Sequence, residues 1–191
     1  MFLVIIAGSS GAGKNTVMEE LFQKDNKFKK FVTYTTRDKR PGEIEDVNYH
    51  YVTVEEFKNK LDNNEILEYE IIHDNMYGSS LPELLDLIKN QGYIVINDFG
   101  VEGTKNIKEK LKGKIDVVTI YLNVPKDELK KRLVGRGDKA DSIKRRMERY
   151  DYELSFSKDY DYVINNINLD ETVDRIYRII KCKQNDLEIQ K

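Results

Sequence analysis

The sequence predicts an α/β protein: a parallel sheet between two layers of helices, carrying a strand-rich insertion and a small helical segment. Three observations support this. Short β-branched runs alternate with helical stretches along most of the 191 residues. Two of those runs, 93–96 and 117–122, are apolar nearly throughout, as strands covered on both faces must be. The stretch from about 32 to 76 breaks the alternation, because strand follows strand there at hairpin-like spacing.

The elements follow in order. Residues 2–7, FLVIIA, form an apolar run too short for a membrane span and without the basic start of a signal peptide. They read as a buried first strand, and a helix is expected over 15–23. Short strands at 31–34 and 49–52, a helix over 54–61 and an alternating strand at 66–72 make up the insertion. A helix over 81–90 has Ser80 as its N-cap. Then come a strand at 93–96, a helix over 103–111, a strand at 117–122 and helices over 126–133 and 142–154. A strand at 162–164 and a helix over 170–180 close the fold, and residues 183–191 are expected to be a frayed tail.

Composition excludes several function classes. Lys and Arg number 32 and Asp and Glu 34, a net charge of −2 that argues against a general polyanion binder, so no nucleic-acid partner is expected. No membrane partner is expected either. The single cysteine, Cys182, cannot form an intrachain disulfide and fits a reducing, cytoplasmic compartment. With only His50 and His73 beside it, there is no zinc-binding set.

The first strand runs into Gly8-Ser9-Ser10-Gly11-Ala12-Gly13-Lys14-Asn15-Thr16, the G-x-x-x-x-G-K of a phosphate-binding loop in its strand–loop–helix context. The glycines let successive N–H groups converge on one phosphate, and the helix N-terminus adds partial positive charge. Lys14 supplies a full charge to the β and γ phosphates. Asn15 stands where Ser or Thr would hold magnesium, so metal ligation there is expected to be weaker or indirect. Thr16 can hydrogen-bond phosphate.

A second cluster reads Thr33-Tyr34-Thr35-Thr36-Arg37-Asp38-Lys39-Arg40-Pro41-Gly42-Glu43, followed by Tyr49-His50-Tyr51. Two arginines three residues apart in a loop can fork around one phosphate. With the phosphate loop, this resembles the guanylate kinase signature, T-T-R-x-x-R-x-G-E before Y-x-F/Y. The resemblance covers residues 1 to about 182. It implies a P-loop NTPase three-layer fold with a core (1–31, 77–134 and 155–182), a GMP-binding lobe (about 32–76) and a lid (about 135–154). It also implies transfer of the γ-phosphoryl group of ATP to GMP, and to dGMP, with Mg2+. By resemblance, Arg37 and Arg40 hold the acceptor phosphate, Tyr49 and Tyr77 donate to it, and Glu43 braces the arginines. Glu68, Ser79 and Thr33 match base-contacting positions. A carboxylate suits guanine because it can accept from both the ring N1–H and the amino group, donors that adenine lacks at those positions. Where Asp46 stands, the family usually has a small residue, and only a local change is expected.

The resemblance fails at one place. The family carries Asp-x-Asp at the end of a central strand, and here the chain reads Asn97-Asp98-Phe99-Gly100-Val101-Glu102-Gly103. Anchoring on Gly103 puts Asp98 and Gly100 at the two acids; counting from Ser79 puts Asn97 and Phe99 there. The first register is preferred because Ile94, Ile96 and Asp98 then share a strand face. Either way one carboxylate is missing, which implies relaxed base selectivity or a substitute at Glu102. Asp98 keeps a place near magnesium. Farther on, Arg132-Leu133-Val134-Gly135-Arg136-Gly137 and Arg146 resemble the family's lid, whose arginines close on the phosphates. Asn166 matches an asparagine near adenine. Seven of the nine arginines fall in these two phosphate-directed segments. Two alternatives stand beside this reading: a related kinase of another phosphorylated acceptor, and a non-catalytic guanylate-kinase-like binding module.

Overall fold

The computed structural model describes residues 2–72 and 74–189; Met1, His73, Gln190 and Lys191 lie outside the described residues. Strand β1 (Phe2–Ala7) is buried along its whole length in the middle of a five-stranded parallel sheet. Alternate residues of a strand face opposite sides, and here both sides are cores. Phe2, Val4 and Ile6 pack with helices α1 (Lys14–Lys24) and α7 (Leu169–Ile189). Leu3 and Ile5 pack with α3 (Leu81–Leu85) and α4 (Val101–Leu111) on the other side. The sheet order is β2 (Phe28–Lys29), β7 (Ile94–Asp98), β1, β8 (Asp116–Asn123), β9 (Tyr162–Asn165), with every pairing parallel. This is the expected doubly covered sheet.

A second sheet of four strands holds β4 (His50–Tyr51), β3 (Tyr34–Thr35), β6 (Asn75–Ser80) and β5 (Ile66–Ile72) in that order. Helix α2 (Val54–Asp62) packs on it through Phe57, against Tyr34 and Ile66. A capping box fixes the start of α2: Thr53 Oγ1 accepts from the Glu56 N–H at 3.1 Å and Glu56 Oε2 from the Thr53 N–H at 2.7 Å. Helices α5 (Lys126–Gly135) and α6 (Ala140–Ser155) follow β8. No helix among the described residues is long and apolar enough to cross a membrane.

Four elements differ from expectation. Of the strand expected at 31–34 only Tyr34 is in a strand, because the chain crosses there from β2 in one sheet to β3 in the other. Phe31 is buried at the crossing, and its N–H donates to Asn97 Oδ1 at 3.1 Å, so its apolar character marked burial without strand pairing. Strand β6 was not expected. Its sequence, NMYGSS, has no β-branched residue, and the antiparallel ladders to β5 and β3 hold it extended. The helix expected over 81–90 begins at Ser80, whose Oγ accepts from the Glu83 N–H at 3.4 Å, but loosens into a π-helical turn at Asp86–Asn90. The tail expected to fray from 183 continues α7 to Ile189. Lys181 pairs with Asp25 at 2.6 Å, and Leu187 packs on the core.

Candidate active site

The turn from β1 into α1 has no room for side chains at two glycines. A Cβ on Gly8 (φ 148) would stand 2.6 Å from the carbonyl oxygen of Leu122 on β8, and one on Gly13 (φ 87) would stand 2.8 Å from Asn166 Nδ2. Gly13 caps α1 without a side-chain hydrogen bond, which leaves the N–H groups of the first turn for a ligand. Lys14 folds back along the loop, its Nζ donating to the Gly8 carbonyl at 2.8 Å. Burial holds its pKa below the ordinary lysine value, against the pull of Asp98 and Glu153. A charge in such a part-dry setting acts on a phosphate more strongly than one in water. The loop is buttressed from behind: Asn166 Nδ2 donates to the Ala12 carbonyl at 2.7 Å, and Arg132 Nη2 to the Asn166 carbonyl at 3.0 Å.

These residues enclose a cavity of about 500 Å³. Of the positions singled out for ATP, Ser10, Gly11, Gly13, Lys14, Asn15, Thr16, Arg132, Arg136 and Asn166 line it, joined by Asp98. Ser9 and Ala12 are buried in the loop. Gly8, Lys14, Asp98 and Arg146 border the adjoining cleft. Arg136 is held by Asp138, which accepts from its Nε at 2.8 Å and its Nη2 at 2.6 Å. From α6, Arg146 donates to Ser10 Oγ and lies 3.7 Å from the same Asp138. Asp138 belongs to none of the motifs above, and its place two residues beyond Arg136 is the one signal of it in the sequence.

A second cavity, of about 350 Å³, opens between the two sheets and is lined by Thr33, Tyr49, Glu68, Tyr77 and Asp98. Ser79, fully buried, donates to Glu68 Oε1 at 3.2 Å. Burial, and then the nearby charge of Glu70, push the Glu68 carboxyl up to about 7. Arg37 and Arg40 do not line this cavity. Arg37 lies over the Tyr49 ring at 5.7 Å, and that ring meets Tyr77 edge-on at 5.8 Å. Glu43 braces Arg37, accepting from its Nη2 at 2.8 and 3.0 Å, but takes only the backbone N–H of Arg40, at 2.8 Å. Tyr51 adds a third donor at 2.7 Å. The Arg37 contact, with the other two donors, holds the Glu43 carboxyl down at about 2. The Arg40 side chain stays exposed. Asp46 adopts a left-handed conformation (φ 61), which explains why a small residue suits that position, and its carboxylate takes His50 Nδ1 at 2.7 Å.

The two cavities thus share Asp98. The guanylate kinase family model matches residues 1–183. The chain belongs to the guanylate kinase family. It is 40% identical over 181 residues to a guanylate kinase of Prochlorococcus marinus subsp. pastoris, covering 94% of this chain and 96% of that one. It is 37% identical over 184 residues to a guanylate kinase of Rickettsia felis, covering 95% and 94%. The crystal structure of guanylate kinase from Anaplasma phagocytophilum matches with a TM-score of 0.73 at 29% identity, covering 96% of this chain and 86% of that one.

Within the family frame, the geometry at the end of β7 favours the register anchored on Gly103. Ile94 and Ile96 pack into one core, and Asp98, on the same face, reaches both cavities. Asn97 borders only the second cavity and is buried, its Oδ1 engaged by the Phe31 N–H at 3.1 Å. In that register Gly100 stands at the second acid. Glu102, the other residue considered for that role, does not line the second cavity but borders the adjoining cleft with Glu70, Asp98 and Gly100; its carboxylate takes the Tyr152 hydroxyl at 2.8 Å and lies 3.9 Å from Arg149. Helix α4 turns it toward α6 instead.

Proposed function

We propose that this chain transfers the γ-phosphoryl group of ATP directly to GMP, and to dGMP, giving ADP and GDP. The observation that carries the reading is the position of Asp98, which borders the donor cavity, the acceptor cavity and the cleft with Lys14 between them. Two nucleotides in these cavities would bring their phosphates together there, which is what an in-line transfer needs. In this reading the parallel sheet and its helices are the core. The second sheet is the GMP-binding lobe, with β6 extending it to Ser80. Residues of about 135–154 form the lid.

The phosphate loop and Lys14 hold the β and γ phosphates of ATP. Arg37, braced by Glu43, and Arg40 take the GMP phosphate with Tyr49 and Tyr77. Glu68 reads the guanine edge, with Thr33 and Ser79 beside it. Arg132, Arg136 and Arg146 gather positive charge around the migrating group, which carries negative charge on its equatorial oxygens. For Arg136 and Arg146 this means exchanging Asp138 for phosphate as the lid closes, and closure excludes water that would otherwise take the phosphoryl group. No side chain needs to form a covalent intermediate.

Magnesium fits the donor set. The Asp98 carboxylate, the Asn15 amide and the Thr16 hydroxyl offer only oxygen, with a single carboxylate, as suits an ion that keeps most of its waters. Asp98 would hold it, and Asn15 through water. When bound, the ion neutralises charge on the transferring phosphates. The single cysteine supports a reducing, cytoplasmic setting.

Coupled ADP release over a panel of nucleoside monophosphates tests the reading. GMP and dGMP should turn over and AMP should not. Lys14→Ala should lower kcat by about 10²–10³. No turnover with either guanine nucleotide would overturn the proposal.

A further inference from the structure

Glu70 has no part in the assignments above, yet it stands in the acceptor cavity. It lies two residues beyond Glu68 on β5, so both side chains leave the same face of the strand. Across the ladder Glu68 pairs with Ser79 and Glu70 with Tyr77, both acceptor-site positions. The two carboxylates meet the start of α4, where two glycines leave the backbone bare. A Cβ on Gly100 would stand 2.6 Å from Glu70 Oε1, and a Cβ on Gly103 would stand 3.4 Å from Glu68 Oε2. Glu70 thus fills the space that a side chain at position 100 would enter, and position 100 is where the family pattern places its second acid. Among the described residues, no hydrogen bond or ion pair engages the Glu70 carboxylate.

We propose that Glu70 is the second base-reading carboxylate of this chain, reaching from β5 into the space left by Gly100 to accept a hydrogen bond from the guanine amino group. The chemistry favours this division of labour. One carboxylate can accept from the ring N1–H and one amino N–H. The other amino N–H points farther along the same edge and needs its own acceptor. Two carboxylates this close repel one another when the cavity is empty, and a row of N–H donors between them relieves that repulsion. The raised pKa of Glu68 is consistent with such a pair. The inference rests on GMP being the acceptor, and it assigns selectivity for the amino group to a residue outside the family's Asp-x-Asp.

The test compares GMP with IMP, which differs only in lacking the amino group. Steady-state kcat/KM is measured for both acceptors with the native chain, Glu70→Ala, Glu70→Gln and the double variant Glu70→Ala/Gly100→Asp. In Glu70→Ala the GMP-to-IMP ratio should fall by about 10-fold or more, the range for a hydrogen bond to a charged group. Glu70→Gln, which keeps the side chain's size, should move the ratio the same way. The double variant, which returns a carboxylate from the other side of the same space, should recover most of it. A purely structural role would lower both acceptors alike. An unchanged ratio in Glu70→Ala and Glu70→Gln overturns the proposal while leaving the kinase reading intact. No GMP turnover by the native chain overturns both.

Discussion

Lowering the pH from 8 to 6 should weaken guanine recognition by about tenfold. Glu68 stands at about 7 because burial penalises its charge and Glu70 repels it, while Ser79 and Lys110 pull the other way. Only the ionised carboxylate can accept from two guanine donors at once, so a proton and GMP compete for it. Recognition is therefore complete above the pKa and lost as the pH falls through it. For a group at about 7, the ionised fraction is ~0.9 at pH 8 and ~0.1 at pH 6. At the ordinary value of 4.5 the same change would be under ~5%. The assay is kcat/KM for GMP across this range at saturating ATP. The phosphate of GMP has its own second ionisation near ~6, so the native chain is compared with Glu70→Gln, for which that contribution is the same. Removing the Glu70 charge removes one of the two causes of the shift, so the inflection should move to lower pH. A flat native profile between pH 6 and 8, or an inflection that Glu70→Gln leaves in place, would refute the reasoning.

Two further outcomes follow from the donor end. Gly8→Ala places a Cβ against the Leu122 carbonyl oxygen, and β8 is held there by its pairing with β1 up to Tyr121 and with β9 at Leu122; urea unfolding should show a loss of about 1–3 kcal/mol, with ATP binding weakened in parallel. Asn15→Ser restores a hydroxyl beside Lys14, and the magnesium titration of activity should shift to lower concentration; superimposable curves would count against a metal role for position 15.

The parallel sheet was legible because its strands are buried on both faces and say so in unbroken apolar runs, as in FLVIIA. The phosphate loop was legible because its glycines answer to local backbone geometry. Strand β6 was not, because NMYGSS is held extended by partners on either side and has only Tyr77 to favour a strand. The end of α7 was misread for a similar reason: Asp25, which lies across the fold, anchors Lys181. At the site, Glu68 and the arginines belong to motifs with fixed spacing and could be found by reading along the chain. Glu70 could not. Alternation along β5 puts it beside Glu68, but its importance comes from the bare backbone at Gly100, thirty residues away, and only the folded chain brings the two together. The same holds for the contacts of Glu102 with Tyr152 and Arg149, which α6 brings to it from some fifty residues away.

In the proposed reaction the phosphoryl group passes directly between two nucleotides that meet at Lys14 and Asp98. A rapid-quench single turnover with [γ-32P]ATP and GMP tests it most directly. Label should pass from ATP to GDP with the same rate constant at which ATP disappears, with none on the protein at any time. Label trapped on the chain, or released as inorganic phosphate with no labelled GDP, would contradict the account.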